Sequence, residues 1–223
     1  WDVFDEHVWN APRREVHRIH QIRCLDVPLE RTVSGDVDAG KAADMLAEQL
    51  RKNRLPLKGW NSDVEAWIQR VRWVAETFPE RGLIRYDDTD IALVLADICT
   101  GERRYAAVRN KPCLPYVKNV LSWDDQQFVE RMAPPRLRLP NGKRIRLSYE
   151  LGCPPRGSAF IQDLYGLDNT PAVAEGRQPV VLEILAPNRR AVQVTADLKR
   201  FWQTLYPRVR NELAKRYPKH EWR

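Results

Sequence analysis

Arginine alternates with apolar residues on both sides of a turn in R-L-R-L-P-N-G-K-R-I-R-L-S-Y-E, residues 136–150, and this is the pattern best placed to do chemistry. The chemistry would be phosphate binding, because a flat guanidinium matches two phosphate oxygens and a row of them follows a nucleic-acid backbone. Two hairpin registers are possible. A two-residue Asn141-Gly142 loop sets Leu137 opposite Arg146 and mixes the faces. A three-residue Pro140-Asn141-Gly142 loop, with the glycine left-handed, sets Leu137 opposite Ile145. The second register gathers Leu137, Leu139, Ile145, Leu147 and Tyr149 on one face and is preferred. It opposes Arg138 to Arg144 and Arg136 to Arg146, an unfavourable pairing of like charges unless an anion lies between them. The alternative is that Glu150, Glu183 or Asp163 neutralises the row.

A second basic group follows. Asn188-Arg189-Arg190 occupies a turn, and Lys199, Arg200, Arg208, Arg210, Lys215, Arg216 and Lys219 continue along the next helix. It reads as an electrostatic footprint for RNA or another nucleic acid, against the plainer reading of a solvated helix face. Phe201, Trp202, Tyr206, Tyr217 and Trp222 interleave with these bases and are read as core at helical spacing rather than as base-stacking platforms. The net charge is +7 and unevenly placed. Of 37 bases and 30 acids, 17 and 8 fall from Arg136 onward, which leaves 20 and 22 before it. The basic character belongs to the last third of the chain, and a polyanion is its natural partner.

No catalytic set can be assembled. Gly35 to Ala42 fits G-x-x-x-x-G-K but ends in alanine, lacks a preceding buried strand, and carries Asp36 and Asp38 where phosphates would sit. There is no D-E-x-H or D-E-A-D run. His17 and His20 fall on opposite faces of a predicted strand, poor geometry for one metal, and are read as surface or stacking residues. Cys24, Cys99, Cys113 and Cys153 form no C-x-x-C pair and suit free thiols in a reducing cytosol.

The elements that must carry the basic groups are legible in outline. Val180 to Leu185 is a short buried strand, Pro187-Asn188 a turn, and Ala191 to Val194 a returning strand. Thr195 is expected to cap a helix with Phe201, Leu205, Val209, Leu213 and Tyr217 on one stripe; Pro207 either kinks it or begins a second helix. Upstream, Val3 to Val27 reads as a hairpin bent at Trp9-Asn10-Ala11-Pro12, and Ser34 to Gly40 as a polar link. Helices are expected from Lys41 to Leu55 and after a capping box at Ser62-Asp63-Val64-Glu65. The second buries Val64, Trp67, Ile68, Val71, Val74, Ala75 and Phe78, and ends at Pro79. Another begins at Asp88 or Thr89 and runs through Cys99. Leu114 to Leu121 and Trp123 to Met132, the latter capped by Ser122, complete a helical middle.

A chain of 223 residues with 43% apolar residues is long enough for one large or two small domains. No apolar run approaches the roughly twenty residues of a membrane span, and no signal-peptide pattern opens the chain, so no membrane partner and a cytoplasmic location are expected. Trp1, in place of an initiator methionine, suggests a cut from a longer polypeptide.

The C-terminal order carries a resemblance. V-V-L-E-I-L-A-P-N-R-R, then V-Q-V-T-x-D-L-x-x-F-W, then V-R-x-E-L-x-x-R-Y-P-K-H resembles the C-terminal region of bacterial HrpB-type ATP-dependent RNA helicases, which are DExH-box relatives. I-Q-D-L-Y-G-L-D-N-T-P-A-V-A-E-G-R-Q-P, from Ile161, resembles the segment before it, so the match spans Ile161 to His220. Looser likeness lies upstream in Trp1-Asp2, a strand near Arg23 to Leu29, and an L-P-L-x-x-W step between helices. Beyond His220-Glu221-Trp222 that family runs on with prolines and acids, whereas this chain stops at Arg223. The resemblance implies that ATP and Mg²⁺ are handled by two upstream RecA-like domains of the same polypeptide, outside these residues. It also implies that the N-terminal hairpin ends an OB-like β-domain. The reading is an α+β chain: a β-hairpin or OB-like remnant (1–39), a helical subdomain (40–133) and a basic mixed α/β subdomain (134–223). The expected role is accessory, contacting nucleic acid or regulating the motor, with no catalytic residue, cofactor or metal in this chain. A protein-docking module is the alternative.

Overall fold

A computed structural model describes residues 2–24, 27–53 and 55–223, and the backbone alone at residue 53. The expectations on Trp1, on residues 25 and 26 of the strand near Arg23 to Leu29, and on residue 54 lie outside the described residues. The chain is mixed α+β, as expected, and divides into two compact units: 1–68 with 84–122, and 69–83 with 123–223.

In the first unit, β1 (Asp2–Asn10), β2 (Glu15–Cys24) and β3 (Val27–Ser34) form an antiparallel sheet in that order. The expected hairpin is therefore a three-stranded meander. Its turn is residues 11–14, since Asn10 pairs with Glu15. Strand β3 is hard to read from sequence because Pro28 and the charged Glu30-Arg31 interrupt the alternation of Val27, Leu29 and Val33, and the strand is almost wholly exposed. Its Pro28 is tolerated on an edge strand, next to a register shift after Ile22. Helix α1 (Ala39–Asn53) buries Ala42, Ala43, Leu46, Ala47 and Leu50.

Helix α2 (Ser62–Thr77) buries every residue of its expected stripe, Val64 through Phe78 just beyond it. Its cap is Asn61 rather than Ser62: Asn61 Oδ1 accepts from the backbone N–H groups of Asp63 (3.0 Å) and Val64 (3.3 Å). Glu65, expected to reach back to the cap, instead accepts from Trp60 Nε1 at 2.6 Å. The two candidates are adjacent, and the longer asparagine side chain satisfies two orphan donors at once. The division between units falls within α2, after Ile68. A 3₁₀ turn at Pro79–Arg81 follows, then α3 (Asp88–Cys99), capped reciprocally by Asp87 and Asp90. Short helices α4 (Tyr105–Val108) and α5 (Cys113–Asn119) complete the first unit.

In the second unit, α6 (Trp123–Met132) precedes β4 (Arg136–Arg138), β5 (Arg144–Ser148) and β6 (Arg156–Phe160). A 3₁₀ turn at Ile161–Leu164 and the two-residue strands β7 (Ala172–Val173) and β8 (Gln178–Pro179) lead to β9 (Val181–Leu185) and β10 (Ala191–Thr195). The five-stranded sheet has the order β10-β9-β6-β5-β4, with β6 parallel to β9 and the other pairs antiparallel. Strand β6, R-G-S-A-F, has no β-branched residue and is silent in the sequence. Its Gly157 is required, because an added Cβ would lie 2.9 Å from Leu147 Cδ2 and 3.0 Å from Ile145 Cδ1. One sheet face buries Ile145, Leu147, Ala159, Leu182 and Ile184; the other is left to solvent in part. Helix α7 (Leu198–Arg200), a π-helical turn (Phe201–Leu205) and α8 (Tyr206–Arg216) close the chain. Among the described residues no helix is long and apolar enough to cross a membrane.

Candidate nucleic-acid interface

The β4–β5 hairpin adopts the three-residue register. Leu139 N–H donates to Lys143 O at 2.8 Å, Gly142 N–H donates to Leu139 O at 2.9 Å, and Gly142 has φ +82°. Arg136 therefore pairs with Arg146 and Arg138 with Arg144. All four arginines are exposed, while Leu139, Ile145, Leu147 and Tyr149 are buried on the reverse side.

Two of the three acids that could have cancelled this row, Asp163 and Glu183, have other partners. Asp163, buried in the 3₁₀ turn after β6, accepts from Lys143 Nζ at 2.7 Å and Asn141 Nδ2 at 2.9 Å, bracing the hairpin loop. Glu183 Oε2 accepts from Ser158 Oγ at 2.5 Å. No ion pair within 4.0 Å joins Arg136, Arg138 or Arg144 to a described residue. One residue that sequence reasoning missed joins them. Ser148 pairs with Arg156 and Leu147 with Gly157, so Arg156 is exposed on the face that carries Arg144 and Arg146. Nothing local signalled it, since R-G-S-A-F lacks strand-like composition.

The second basic group begins at a turn of the same build. Ala186 N–H donates to Arg190 O (2.9 Å), Arg189 N–H to Ala186 O (2.8 Å), and Asn188 Oδ1 accepts from Arg190 N–H (3.2 Å). Asn141 likewise accepts from Lys143 N–H at 3.0 Å. Pro187-Asn188-Arg189 thus repeats Pro140-Asn141-Gly142, with arginine left-handed (φ +65°) where the first turn uses glycine. Because β4, β6 and β9 run in one direction, both turns lie at the same end of the sheet. Two strand spacings, about 10 Å, separate β9 from β5. The sheet order brings together at one end two groups that lie some fifty residues apart in sequence.

The C-terminal helices distribute the remaining bases. Asp197, not Thr195, caps α7: Asp197 Oδ1 accepts from Arg200 N–H at 2.9 Å, while Thr195 Oγ1 accepts from Asp197 N–H at 2.9 Å. Thr195 belongs to the end of β10, two residues too early to reach the free N–H groups of the helix. Pro207 is accommodated near the start of α8, immediately after the π-turn. That turn inserts one residue into the helical stripe, so Leu205 is 37% exposed and Tyr206 8% exposed, the reverse of the fourfold spacing. The proline has no N–H to offer, and the wider turn precedes it. Arg200 and Arg208 line one cavity of about 640 Å³ with Thr195, Thr204 and Leu205. Lys199 lines another. Arg210 Nη2 donates to Trp222 O at 3.4 Å, and Arg216 lies 5.8 Å from the Tyr217 ring centroid. Lys215 and Arg216 end α8, where cations oppose the helix dipole. Lys219 is exposed beyond it.

Other sequence signals resolve as structural parts. Asp38 Oδ1 accepts from Lys41 N–H at 2.8 Å at the start of α1, so a carboxylate occupies the place a phosphate would need in the G-x-x-x-x-G-K stretch. His17 is buried, not a surface residue, and its Nε2 lies 2.6 Å from Glu15 Oε1. Glu15 also meets Arg104 at 2.8 Å and Arg103 at 3.3 Å. The hydrogen bond from His17, with the nearby guanidiniums, holds the Glu15 carboxyl below the ordinary value despite burial. Among the described residues no group of three or more His, Cys, Asp or Glu is placed to hold a metal ion.

Residues 94–223 match the family model HrpB_C, described as ATP-dependent helicase C-terminal. Over 177 residues the chain is 30% identical to the ATP-dependent RNA helicase HrpB of Escherichia coli (strain K12), covering 78% of this chain and 22% of that protein. Its fold matches the crystal structure of the E. coli DExH-box NTPase HrpB, with TM-score 0.80 and 24% identity over 100% of this chain and 28% of that one. A crystal structure of the E. coli DEAH/RHA helicase HrpB matches with TM-score 0.72 and 23% identity, over 99% and 28%. The chain spans about a quarter of the length of these relatives.

Proposed function

Since the chain belongs to the family of C-terminal regions of HrpB-type ATP-dependent helicases, we propose that it is an accessory region that holds nucleic acid for a motor elsewhere in the polypeptide. RNA is the expected strand, in the cytoplasm. ATP and Mg²⁺ would be bound by RecA-like domains outside these residues, and the present residues would take no part in hydrolysis.

One observation carries this reading: Arg138 directly opposed to Arg144 across β4 and β5, with no ion pair to either among the described residues and with Asp163 and Glu183 engaged by other partners. Such pairing is unfavourable without an anion between the side chains, and phosphate is the anion a guanidinium row suits. Arg156 on the same face, and Arg189 and Arg190 at the shared end of the sheet, extend it. Contacts of this kind carry no base information, so binding would be sequence-tolerant and strongly salt-dependent.

The test is a salt titration of single-stranded RNA binding. Replacing Arg138 and Arg144 by alanine is expected to weaken binding and lower the log–log salt slope by about 1.4, roughly 0.7 per lost phosphate contact. Unchanged affinity after Arg189→Ala with Arg190→Ala would remove the turn from the site. A second reading, docking onto the upstream RecA-like domains to regulate them, is favoured by the exposed Val3, Phe4, Val27, Leu29 and Val33 of β1 and β3. No RNA binding, with a stable complex between this chain and those domains, would select it.

A further inference from the structure

The face of the C-terminal helices that bears Lys199 holds a cavity of about 500 Å³. Three rings line it: Tyr165, Trp202 and Tyr206, with centroids 4.9–6.2 Å apart. Their polar atoms are already used. Trp202 Nε1–H donates to Leu167 O at 2.9 Å, and the hydroxyls of Tyr165 and Tyr206 share a hydrogen bond of 2.7 Å. What the rings can offer the cavity is therefore carbon surface. Their planes meet at 37°, 69° and 86°, so no pair is stacked face to face and sealed. Arg223 lies over Tyr165 at 5.3 Å, which leaves Trp202, half-buried, as the ring open to a guest.

The π-turn builds this arrangement. A regular helix would carry Leu205 at the inward position four residues after Phe201. The inserted residue turns Leu205 out and Tyr206 in, against Trp202 at 4.9 Å. Single π-turns occur often at functional sites, where a side chain must leave the α-helical register.

The polar lining identifies the guest by class. Arg223 is taken up by Glu221 at 2.9 Å, which leaves Lys199 as the lining cation that can meet one phosphate of a guest, with Asp168 as the lining acid. Asn169 and Gln203 can each donate and accept, as the edge of a heterocycle requires. A flat heterocycle with an attached phosphate fits all three demands. We propose that this cavity takes one unstacked base of a single strand, packed on Trp202, with Lys199 meeting its phosphate. The inference rests on the nucleic-acid reading above and adds a base site to a backbone-binding surface.

The test compares a uridine oligonucleotide with an abasic oligonucleotide of equal length and phosphate count, bound to the full chain. Base–aromatic packing predicts roughly tenfold tighter binding of the first. Trp202→Leu, which keeps apolar volume without the ring, and Gln203→Glu, at an exposed position, are each expected to bring the ratio close to one. Arg138→Ala is expected to weaken both oligonucleotides alike. Should Trp202→Leu fold poorly, Gln203→Glu still decides the matter. A ratio that survives Gln203→Glu overturns the base site and leaves the backbone surface standing; binding of neither oligonucleotide overturns both. Uridine monophosphate binding as tightly as the oligonucleotide would assign the cavity to free nucleotide, overturning the strand assignment.

Discussion

Arg138, the last residue of β4, stands directly opposite Arg144, the first of β5, with both side chains exposed. This pair gives opposite expectations for stability and for binding. Arg138→Thr relieves the like-charge contact and is expected to raise stability by about 0.5 kcal/mol in urea melts. The same variant is expected to bind single-stranded RNA more weakly at low salt. Greater stability with unchanged affinity would mean that the pair meets no phosphate.

The π-turn reverses the helical stripe, and truncation measures the reversal. Leu205→Ala removes a side chain 37% exposed and is expected to cost under about 1 kcal/mol. Tyr206→Ala removes a buried ring and a hydroxyl partner of Tyr165, at about 3 kcal/mol. Equal costs in denaturant melts would restore the unbroken α-helical stripe.

All four cysteines are free thiols, and they differ in environment. Burial pushes the Cys99 thiol up to about 12 and raises Cys113 as well. Both stay protonated at pH 8, where the thiolate is the reactive form. Iodoacetamide at that pH is expected to label the half-buried Cys24 and Cys153 in the native chain, and Cys99 and Cys113 only after denaturation. Peptide mass mapping of the labelled sites checks the order.

Glu15 ties β2 to the segment before α4 through His17, Arg103 and Arg104. Its carboxyl is held below the ordinary 4.5, chiefly by the His17 hydrogen bond, so the folded state binds its proton more weakly than the unfolded chain. The stabilisation is full above that ordinary value and is lost as pH falls through the lowered folded value. Glu15→Gln is expected to be less stable than the parent at pH 7, with the gap narrowing below pH 4.5. Melts at stepped pH follow it, and a gap independent of pH would assign the cost to packing instead.

What this sequence determined by itself lies in short-range spacing. The alternation around Pro140-Asn141-Gly142 admits one register that separates apolar from charged faces, and that register is observed, with the four arginines where it puts them. The stripe of α2 follows in the same way from a period of 3.6. Where two nearby residues could do the same work, spacing pointed to the wrong one: Asn61, not the expected Ser62, caps α2, and Asp197, not the expected Thr195, caps α7. Only the tertiary structure decided the rest. Strand β6 has no strand-like composition and exists because β5 and β9 flank it, with Gly157 leaving room for Leu147 and Ile145. Its parallel pairing with β9 aligns the two Pro-Asn turns, a relationship between distant residues that no local pattern encodes. The π-turn likewise shows in the exchange of Leu205 for Tyr206, because burial of the larger ring against Tyr165 and Trp202 outweighs regular helical spacing.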